Sequence, residues 1–403
     1  MNTPHQQEKS LQRRVRRHIK AARHTFFAIV QPGFEETALA ELQNLGVDDI
    51  VHTHQGGITF RGKVEDCYRV NLSSRVITRV LMRIDRFKAF HFNQVYKRMR
   101  NIPWELYLPA DAVPAFKVSS SASKLFHTGR VKEEAAKAVG ERLSEVYGSA
   151  PRIDPAHPHA QSVYIRLEKN TCTISLDSTG DPLYKRGYKK YITGAPLRET
   201  TAAALLMEGG LAEAEVLVDP MCGSGTFSME GAMMLCGRLP GEKREFPFFH
   251  WPVFSRAAYN YLSRDMEKCS EQISTKIICS DIDQGAIDIA SKNILSAGID
   301  GMISISRRDF LSEPFRDLPR NRVLCVLNPP YGKRLLEDSV VEKMYEKIGV
   351  AFREWYPDWG YVLLFPDEKY LKAAGLDFQK KISFSHGGLE VTAVVRSVRP
   401  RPA

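Results

Sequence analysis

The sequence predicts an α/β protein with a nucleotide-type fold in its second half, preceded by two smaller units of strands and helices. Three observations carry that prediction. Short apolar runs recur ahead of polar corners: Val216-Leu217-Val218 before Asp219, Ile277-Ile278-Cys279 before Asp281, and Val323 to Leu327 before Asn328. The first run leads into the glycine turn Gly223-Ser224-Gly225 and an apolar helix over Phe227 to Leu235, the strand-turn-helix order of nucleotide-type folds. Charge divides the chain: residues 1–190 hold 31 Lys+Arg against 19 Asp+Glu, net +12, and residues 191–403 hold 26 against 28, net −2. A basic half joined to a near-neutral half fits a polyanion-binding module attached to an enzyme.

In the basic half, residues 1–25 include Arg13, Arg14, Arg16, Arg17, Lys20 and Arg23 with only Glu8 opposing. They read as an arm for RNA phosphates, with an organelle transit segment as the alternative. Phe26 to Val30 reads as a strand and Glu35 to Leu45 as a helix. Gly56-Gly57 marks a turn before the strand Ile58 to Phe60, and a second helix spans Val64 to Ser73. From Arg86 onward a further unit offers a strand at Ala115 to Val118, a helix at Arg130 to Tyr147 and a strand at Ser162 to Leu167. The loop Asp154-Pro155-Ala156-His157-Pro158-His159 carries two histidines. Its prolines and the lack of a cysteine partner argue against a metal site. Lys185, Arg186, Lys189 and Lys190, interleaved with Tyr184, Tyr188 and Tyr191, form the densest basic-aromatic run in the chain. Such a run suits phosphate contact with base stacking, or else an interdomain strand with snorkelling lysines.

The near-neutral half carries the chemistry at its strand ends. Asp219 lies four residues before Gly223. An acid there repels pyrophosphate but suits the ammonium of a methionine moiety. Ser228 stands at the third glycine position of the dinucleotide fingerprint, so the loop favours S-adenosyl-L-methionine over NAD. Asp281, before Ile282, is placed to accept ribose hydroxyls. The intervening stretch, 237–275, holds Phe246, Phe248, Phe249, Trp251 and Phe254 and reads as a helical excursion. Met302 to Ser306 alternates toward Asp309-Phe310, an acid and an aromatic able to edge and stack an adenine; helix capping is the plainer reading of any one such Asp.

The fourth corner is Asn328-Pro329-Pro330-Tyr331. Asn328 offers a side-chain carbonyl, Pro329 a main-chain carbonyl with no N–H beside it, and Tyr331 a ring for stacking. Two prolines stiffen the segment. Two acceptors and an aromatic face suit an exocyclic amine on a base. Beyond it, Val340, Met344, Tyr345, Ile348, Phe352 and Trp355 recur at helical spacing as core, and strands follow at Tyr361 to Phe365, Ile382 to Phe384 and Val391 to Arg396.

Residues 195–400 resemble the class I S-adenosylmethionine-dependent methyltransferases that modify amino groups. With Leu183-Tyr184-Lys185-Arg186-Gly187-Tyr188, Ala195-Pro196-Leu197-Arg198-Glu199-Thr200, Asp219 to Thr226 and Asn328-Pro329-Pro330-Tyr331-Gly332, the chain resembles the THUMP-domain RNA guanine-N2 methyltransferases, including the bacterial 23S rRNA enzymes. Lys333 departs from that pattern, an acid being expected there in many relatives. The resemblance implies a Rossmann-like sheet of seven strands with one reversed near the end, preceded by ferredoxin-like and THUMP α+β domains. The expected divisions are a basic arm at 1–25, a ferredoxin-like domain at 26–85, THUMP at 86–193 and the methyltransferase domain at 194–403. It also implies a cofactor pocket lined by Thr200, Asp219, Cys222, Gly223, Ser224, Gly225, Thr226, Asp281, Ile282, Asp309 and Phe310, with Asn328, Pro329, Pro330 and Tyr331 as the catalytic corner and no metal.

The expected reaction is methyl transfer to guanine N2 in 23S rRNA by a monomer, with tRNA as the alternative substrate. A DNA adenine-N6 methyltransferase shares the tetrapeptide. A glutamine-N5 methyltransferase fits the basic half poorly, and a non-catalytic RNA-binding assembly factor fits the intact motifs poorly. Seven cysteines without a C-x-x-C argue against a disulfide framework or zinc ribbon and point to the cytoplasm. No apolar stretch approaches the roughly 20 residues that span a bilayer.

Overall fold

The computed structural model describes residues 4–149, 160–191, 196–267, 275–330 and 338–398, and its chain divides into two compact units. The first comprises Met1–Ile29, Leu42–Leu183 and Arg244–Asp265. It opens with α1 (Pro4–Val15) and β1 (His24–Ile29). After α2 (Glu35–Asn44) come β2 (Ile50–His54), β3 (Gly57–Gly62), α3 (Val64–Ser73), β4 (Arg79–Lys88), α4 (Phe92–Asn101), β5 (Val113–Ser121), α5 (Thr128–Tyr147), β6 (Ala160–Glu168) and β7 (Thr171–Asp177). The strands form one sheet in the order β2-β3-β1-β4-β7-β6-β5, antiparallel except for the β5–β6 pair. One row of partners, Phe60–Phe26–Met82–Leu176–Val163–Phe116, runs across six of the seven strands and is buried throughout. That row is the core face.

The expected boundary between residues 85 and 86 falls inside β4, which pairs with β1 and with β7. Both expected α+β domains therefore share a single sheet. The basic arm is likewise a docked element. Val15 and Ile19 are buried, Arg14 pairs with the buried Glu105 at 2.9 Å, and Arg23 pairs with Asp49. Two of its six expected phosphate ligands are thus committed to the protein.

The second unit comprises Val30–Glu41, Tyr184–Lys243 and Met266–Ala403. Helix α2 begins there, with Phe34 against Phe384 at 5.3 Å and Thr37 donating to Glu208. Its elements continue as α6 (Glu199–Gly209), β8 (Val216–Asp219) and α7 (Thr226–Leu235). The chain then makes α8 (Arg256–Glu267), and the unit resumes with β9 (Lys276–Asp281), α9 (Gln284–Ala297), β10 (Ile303–Arg307), β11 (Val323–Leu327), α10 (Asp338–Glu354), β12 (Gly360–Phe365), α11 (Glu368–Ala374), β13 (Lys380–His386) and β14 (Leu389–Arg396). The sheet order is β10-β9-β8-β11-β12-β14-β13, with β14 antiparallel to both neighbours and the other pairs parallel. This is the Rossmann-like arrangement with one reversed strand.

The stripe on α10 is shifted from its expected register. Val341, Tyr345, Ile348 and Phe352 enter the core, whereas Val340 and Trp355 are exposed. The aromatic insertion is helical, as expected, but Arg244–Asp265 packs within the first unit. Phe248 stacks on Tyr68 at 4.6 Å, and the Trp251 indole donates to Gln161 at 2.7 Å.

Candidate active site at the carboxyl edge of the second sheet

Strands β8 and β11 are hydrogen-bonded parallel neighbours, with Cys325 opposite Val218. Asp219 and Asn328 therefore leave the same edge of the sheet side by side, on strands about 4.8 Å apart. Asp219 is 1% exposed. One carboxylate oxygen accepts from the Ser228 N–H at 3.2 Å and its hydroxyl at 2.9 Å; the other, Oδ1, is buried without a partner among the described residues. Burial pushes this carboxyl up to about 7, against the lowering effect of the two Ser228 hydrogen bonds, and nearby Asp281 adds to the rise.

The glycine turn is held from several sides. Gly223 and Gly225 have φ of +52° and +80°, a region that L side chains enter only with strain. A Cβ on Gly225 would also press on Ala290 of α9 at 3.3 Å. The Gly223 N–H donates to Asp281 Oδ2 at 2.9 Å, and the Cys222 N–H donates to the Ser280 carbonyl. The Cys222 thiol lies against Cys279 and is pushed up strongly by that contact and by burial, so it is inert toward nucleophilic chemistry. Ile282, beside Asp281, is 59% exposed. An apolar side chain left in water at a strand end suits the face of a flat ligand.

Sequence reasoning missed a strap formed by residues 184–191. The basic-aromatic run, expected on RNA or in an interdomain strand, instead turns much of its chemistry into the second unit. Arg186 and Tyr188 are buried against Glu230, with the Tyr188 hydroxyl donating to it. Lys189 pairs with Glu199 at 3.1 Å and donates to the Leu197 carbonyl and Thr226 Oγ1. The N–H groups of Lys190 and Tyr191 donate to Asn293 Oδ1, and the Asn293 amide donates back to Tyr191 and to the Ser224 carbonyl. Glu199 begins α6, Thr226 begins α7 and Asn293 is fully buried on α9. The strap therefore ties three helices to the glycine turn. Ser224 and Thr226 are held within it, and Thr200 is buried in the first turn of α6.

The third strand end departs from expectation. Asp309 caps its own turn, accepting from the Leu311 N–H and the Ser312 hydroxyl. Phe310 is 1% exposed and stacks on Tyr356 at 5.7 Å, so its ring belongs to the core rather than to an adenine. At the fourth strand end, Asn328 Oδ1 is buried and has no partner among the described residues. Pro329 is buried, Pro330 is exposed, and Tyr331 lies outside the described residues, as does the His157–His159 loop.

Residues 186–392 match the family model described as the RMKL-like methyltransferase domain. The chain belongs to this RMKL-like family. Residues 25–81 of the RMKL-like chain also match an RlmL ferredoxin-like domain, and residues 89–177 match a THUMP domain. It is 31% identical over 384 residues to the ribosomal RNA large subunit methyltransferase K/L of Methylococcus capsulatus, covering 93% of this chain and 51% of that protein. The chain thus spans about half the length of the K/L relatives it matches. It is 30% identical to "Putative RNA methyltransferase slr0064" of Synechocystis sp., covering 93% of this chain and 97% of that protein. Among solved structures it resembles SMU.472 complexed with SAH, with a TM-score of 0.84 and 27% identity over 94% of this chain and 99% of that one.

The unpaired oxygens give this RMKL-like edge its chemical character. Asp219 Oδ1 and Asn328 Oδ1, on neighbouring strand ends, are acceptors lacking donors among the described residues. A buried acceptor left unmade costs about 1–3 kcal/mol, and donors on a ligand would remove that cost. The glycine turn is hydrogen-bonded to the Asp281 carboxylate, and the exposed Ile282 follows it in the chain. These residues suit a ligand with a cationic amine, vicinal hydroxyls and a flat apolar part. No helix among the described residues is long and apolar enough to cross a membrane.

Proposed function

We propose that this chain is an S-adenosylmethionine-dependent RNA methyltransferase that modifies the exocyclic N2 of a guanine, with large-subunit ribosomal RNA as its substrate. The observation carrying this reading is a pair of buried oxygens, one on Asp219 and one on Asn328, at adjacent strand ends and without partners among the described residues. The first suits the ammonium of the cofactor and the second suits an amino N–H of the base. The names of the RNA methyltransferase relatives support RNA as the class of substrate.

When bound, S-adenosylmethionine supplies an electrophilic methyl on a sulfonium that leaves as a neutral thioether. Asp219 would hold the amine, and Gly223 to Thr226 would give backbone close approach. Asp281 would accept the ribose hydroxyls while Ile282 would cover the adenine. Cys222, Asp309 and Phe310 shape the pocket through backbone and core rather than through their side chains. Thr200 steadies the methionine end from the start of α6.

An aryl amine is a weak nucleophile because its lone pair is delocalised into the ring. Accepting N2–H bonds at Asn328 Oδ1 and the Pro329 carbonyl would favour a pyramidal nitrogen and fix the direction of its lone pair, an effect of orientation and fixed dipoles. The nitrogen then sheds its proton to water, so no covalent enzyme intermediate is needed. The base must leave any stack to reach this corner. Tyr331 is assigned to stack on it, and Pro330 to stiffen the segment that carries it. Incubating the purified chain with labelled cofactor and ribosomal RNA, then digesting to nucleosides, tests the reading. N2-methylguanosine is expected; N6-methyladenosine as the sole labelled product would replace guanine with adenine as the target.

A further inference from the structure

The second unit holds a cavity of about 690 Å³ among its strand starts, on the edge of the sheet opposite the one that carries Asp219 and Asn328. Arg322 precedes β11, Gly360 begins β12, and Arg396 ends the reversed strand β14 opposite Tyr361. Pockets that take small ligands run to roughly 300–1,000 Å³. Three arginines line this one, Arg322, Arg353 and Arg396, against two acids, Asp358 and Asp377. Two of the arginines hold the walls. Arg322 pairs with Glu215 at 3.2 Å and donates to the Glu213 carbonyl, and Arg353 donates to the Ala374 and Gly375 carbonyls at the end of α11. Arg396 is half-buried and makes no hydrogen bond or ion pair among the described residues, and neither Asp358 nor Asp377 is ion-paired among them. Burial pushes the Tyr361 phenol up to about 12; the Arg396 charge opposes that rise and Asp377 adds to it, so both charges lie near the same ring. Gln379 accepts from the Ser397 N–H at 2.8 Å, which leaves its own amide N–H groups to donate. Phe378, 41% exposed, adds an aromatic ring to the lining.

We propose that this cavity binds a free nucleotide, with Arg396 and Arg353 meeting its phosphate, Asp358 and Asp377 accepting from its ribose hydroxyls, and Phe378 stacking on its base. A guanidinium fork matches phosphate oxygens bidentately. A plain anion would use the arginines and be repelled by the carboxylates. A nucleoside would use the carboxylates and the ring but leave Arg396 unpaired. A ligand that joins a phosphate to vicinal hydroxyls and a flat ring meets all of these groups at once. The site is distinct from the cofactor edge, because it lies at the strand starts while Asp219 and Asn328 lie at the strand ends. It goes beyond methyl transfer and stands whether or not guanine is the methylated base.

The test is calorimetry of the full chain with guanosine monophosphate, guanosine and inorganic phosphate, each with and without excess S-adenosylhomocysteine. Guanosine monophosphate is expected to bind at one site per chain in both conditions, and guanosine and phosphate each to bind more weakly. Arg396→Gln is expected to weaken the nucleotide by roughly tenfold or more, the loss of charge-assisted hydrogen bonds. Phe378→Ala is expected to weaken it by roughly fivefold or more, the loss of one stacked base, with the affinity for inorganic phosphate unchanged. Both variants should bind S-adenosylmethionine as the parent does, which shows that the second unit is intact. Absence of nucleotide binding by the parent chain, or parental affinity in Arg396→Gln, overturns the site. Displacement of the nucleotide by S-adenosylhomocysteine places it at the cofactor edge and overturns the site as well. Guanosine or inorganic phosphate binding as tightly as the nucleotide overturns the ligand class, and tighter binding of a 5′-phosphorylated RNA oligomer overturns the free nucleotide as its occupant.

Discussion

Asn328 and Asp219 each present a buried oxygen without a hydrogen bond among the described residues, and their roles separate cleanly by experiment. Asn328→Ala removes the acceptor for the base. It is expected to lower kcat by about 10²–10³, the range for one preorganised transition-state hydrogen bond, with the S-adenosylmethionine Kd from calorimetry unchanged. Near-normal turnover in that variant would mean that the amine is held elsewhere. Asp219 acts on the other partner. Its carboxyl titrates at about 7 because it is buried, so only above that pH is it fully charged for an ammonium. Cofactor affinity should therefore rise as pH climbs toward about 7 and level off above it. For folding the sign is opposite. A carboxyl raised from 3.8 favours the folded state at low pH, and that contribution is lost as pH rises from about 4 to about 7. The Tm gain from S-adenosylmethionine should consequently be larger at pH 8 than at pH 6 and should lose this dependence in Asp219→Asn. A gain equal at both pH values in the parent chain would remove Asp219 from the amine site.

The strap of residues 184–191 makes the corresponding case at the level of elements. Its contacts to Asn293 and Thr226 fix the glycine turn without touching the position of Asn328. Asn293→Ala should weaken S-adenosylmethionine binding by about tenfold, since it leaves several backbone partners unpaired, while kcat at saturating cofactor stays near the parent value. A fall in kcat with unchanged cofactor affinity would assign the strap to the base corner instead. These elements also show what the chain reveals before folding. Strands β8 and β11 are legible because both faces of each are buried, which leaves continuous apolar runs ending in Asp219 and Asn328. Strand β2 is hidden because its histidines lie exposed on a sheet edge, and β4 because basic residues interrupt its apolar positions. The strap misleads because composition does not report direction. Arg186 and Lys189 are as basic as surface residues, yet each meets a buried carboxylate, Glu230 at the far end of 44 residues of chain and Glu199 at the start of the next helix. Phe310 misleads in the same way, its ring drawn into the core by Tyr356.

At the scale of the whole molecule, sequence order and structural membership part company at the aromatic insertion. Residues 244–265 interrupt the second unit in sequence but supply core to the first. Phe248 is fully buried there and lies among Tyr68, Phe246, Phe249, Phe254 and Tyr259. Removing its ring should open a cavity costing about 3–5 kcal/mol. The loss falls on the first unit and not on the sheet that carries Asp219. Phe248→Ala is therefore expected to lower the urea midpoint of the first unit, read by near-ultraviolet circular dichroism, while S-adenosylmethionine still binds with parental affinity in calorimetry. Because the insertion leaves from α7 and returns to β9, its length sets the distance in sequence between Asp219 and Asp281 without altering their adjacency, which the β8–β9 pairing supplies. Loss of cofactor binding in step with the unfolding of Phe248→Ala would instead make the insertion a structural support of the cofactor edge.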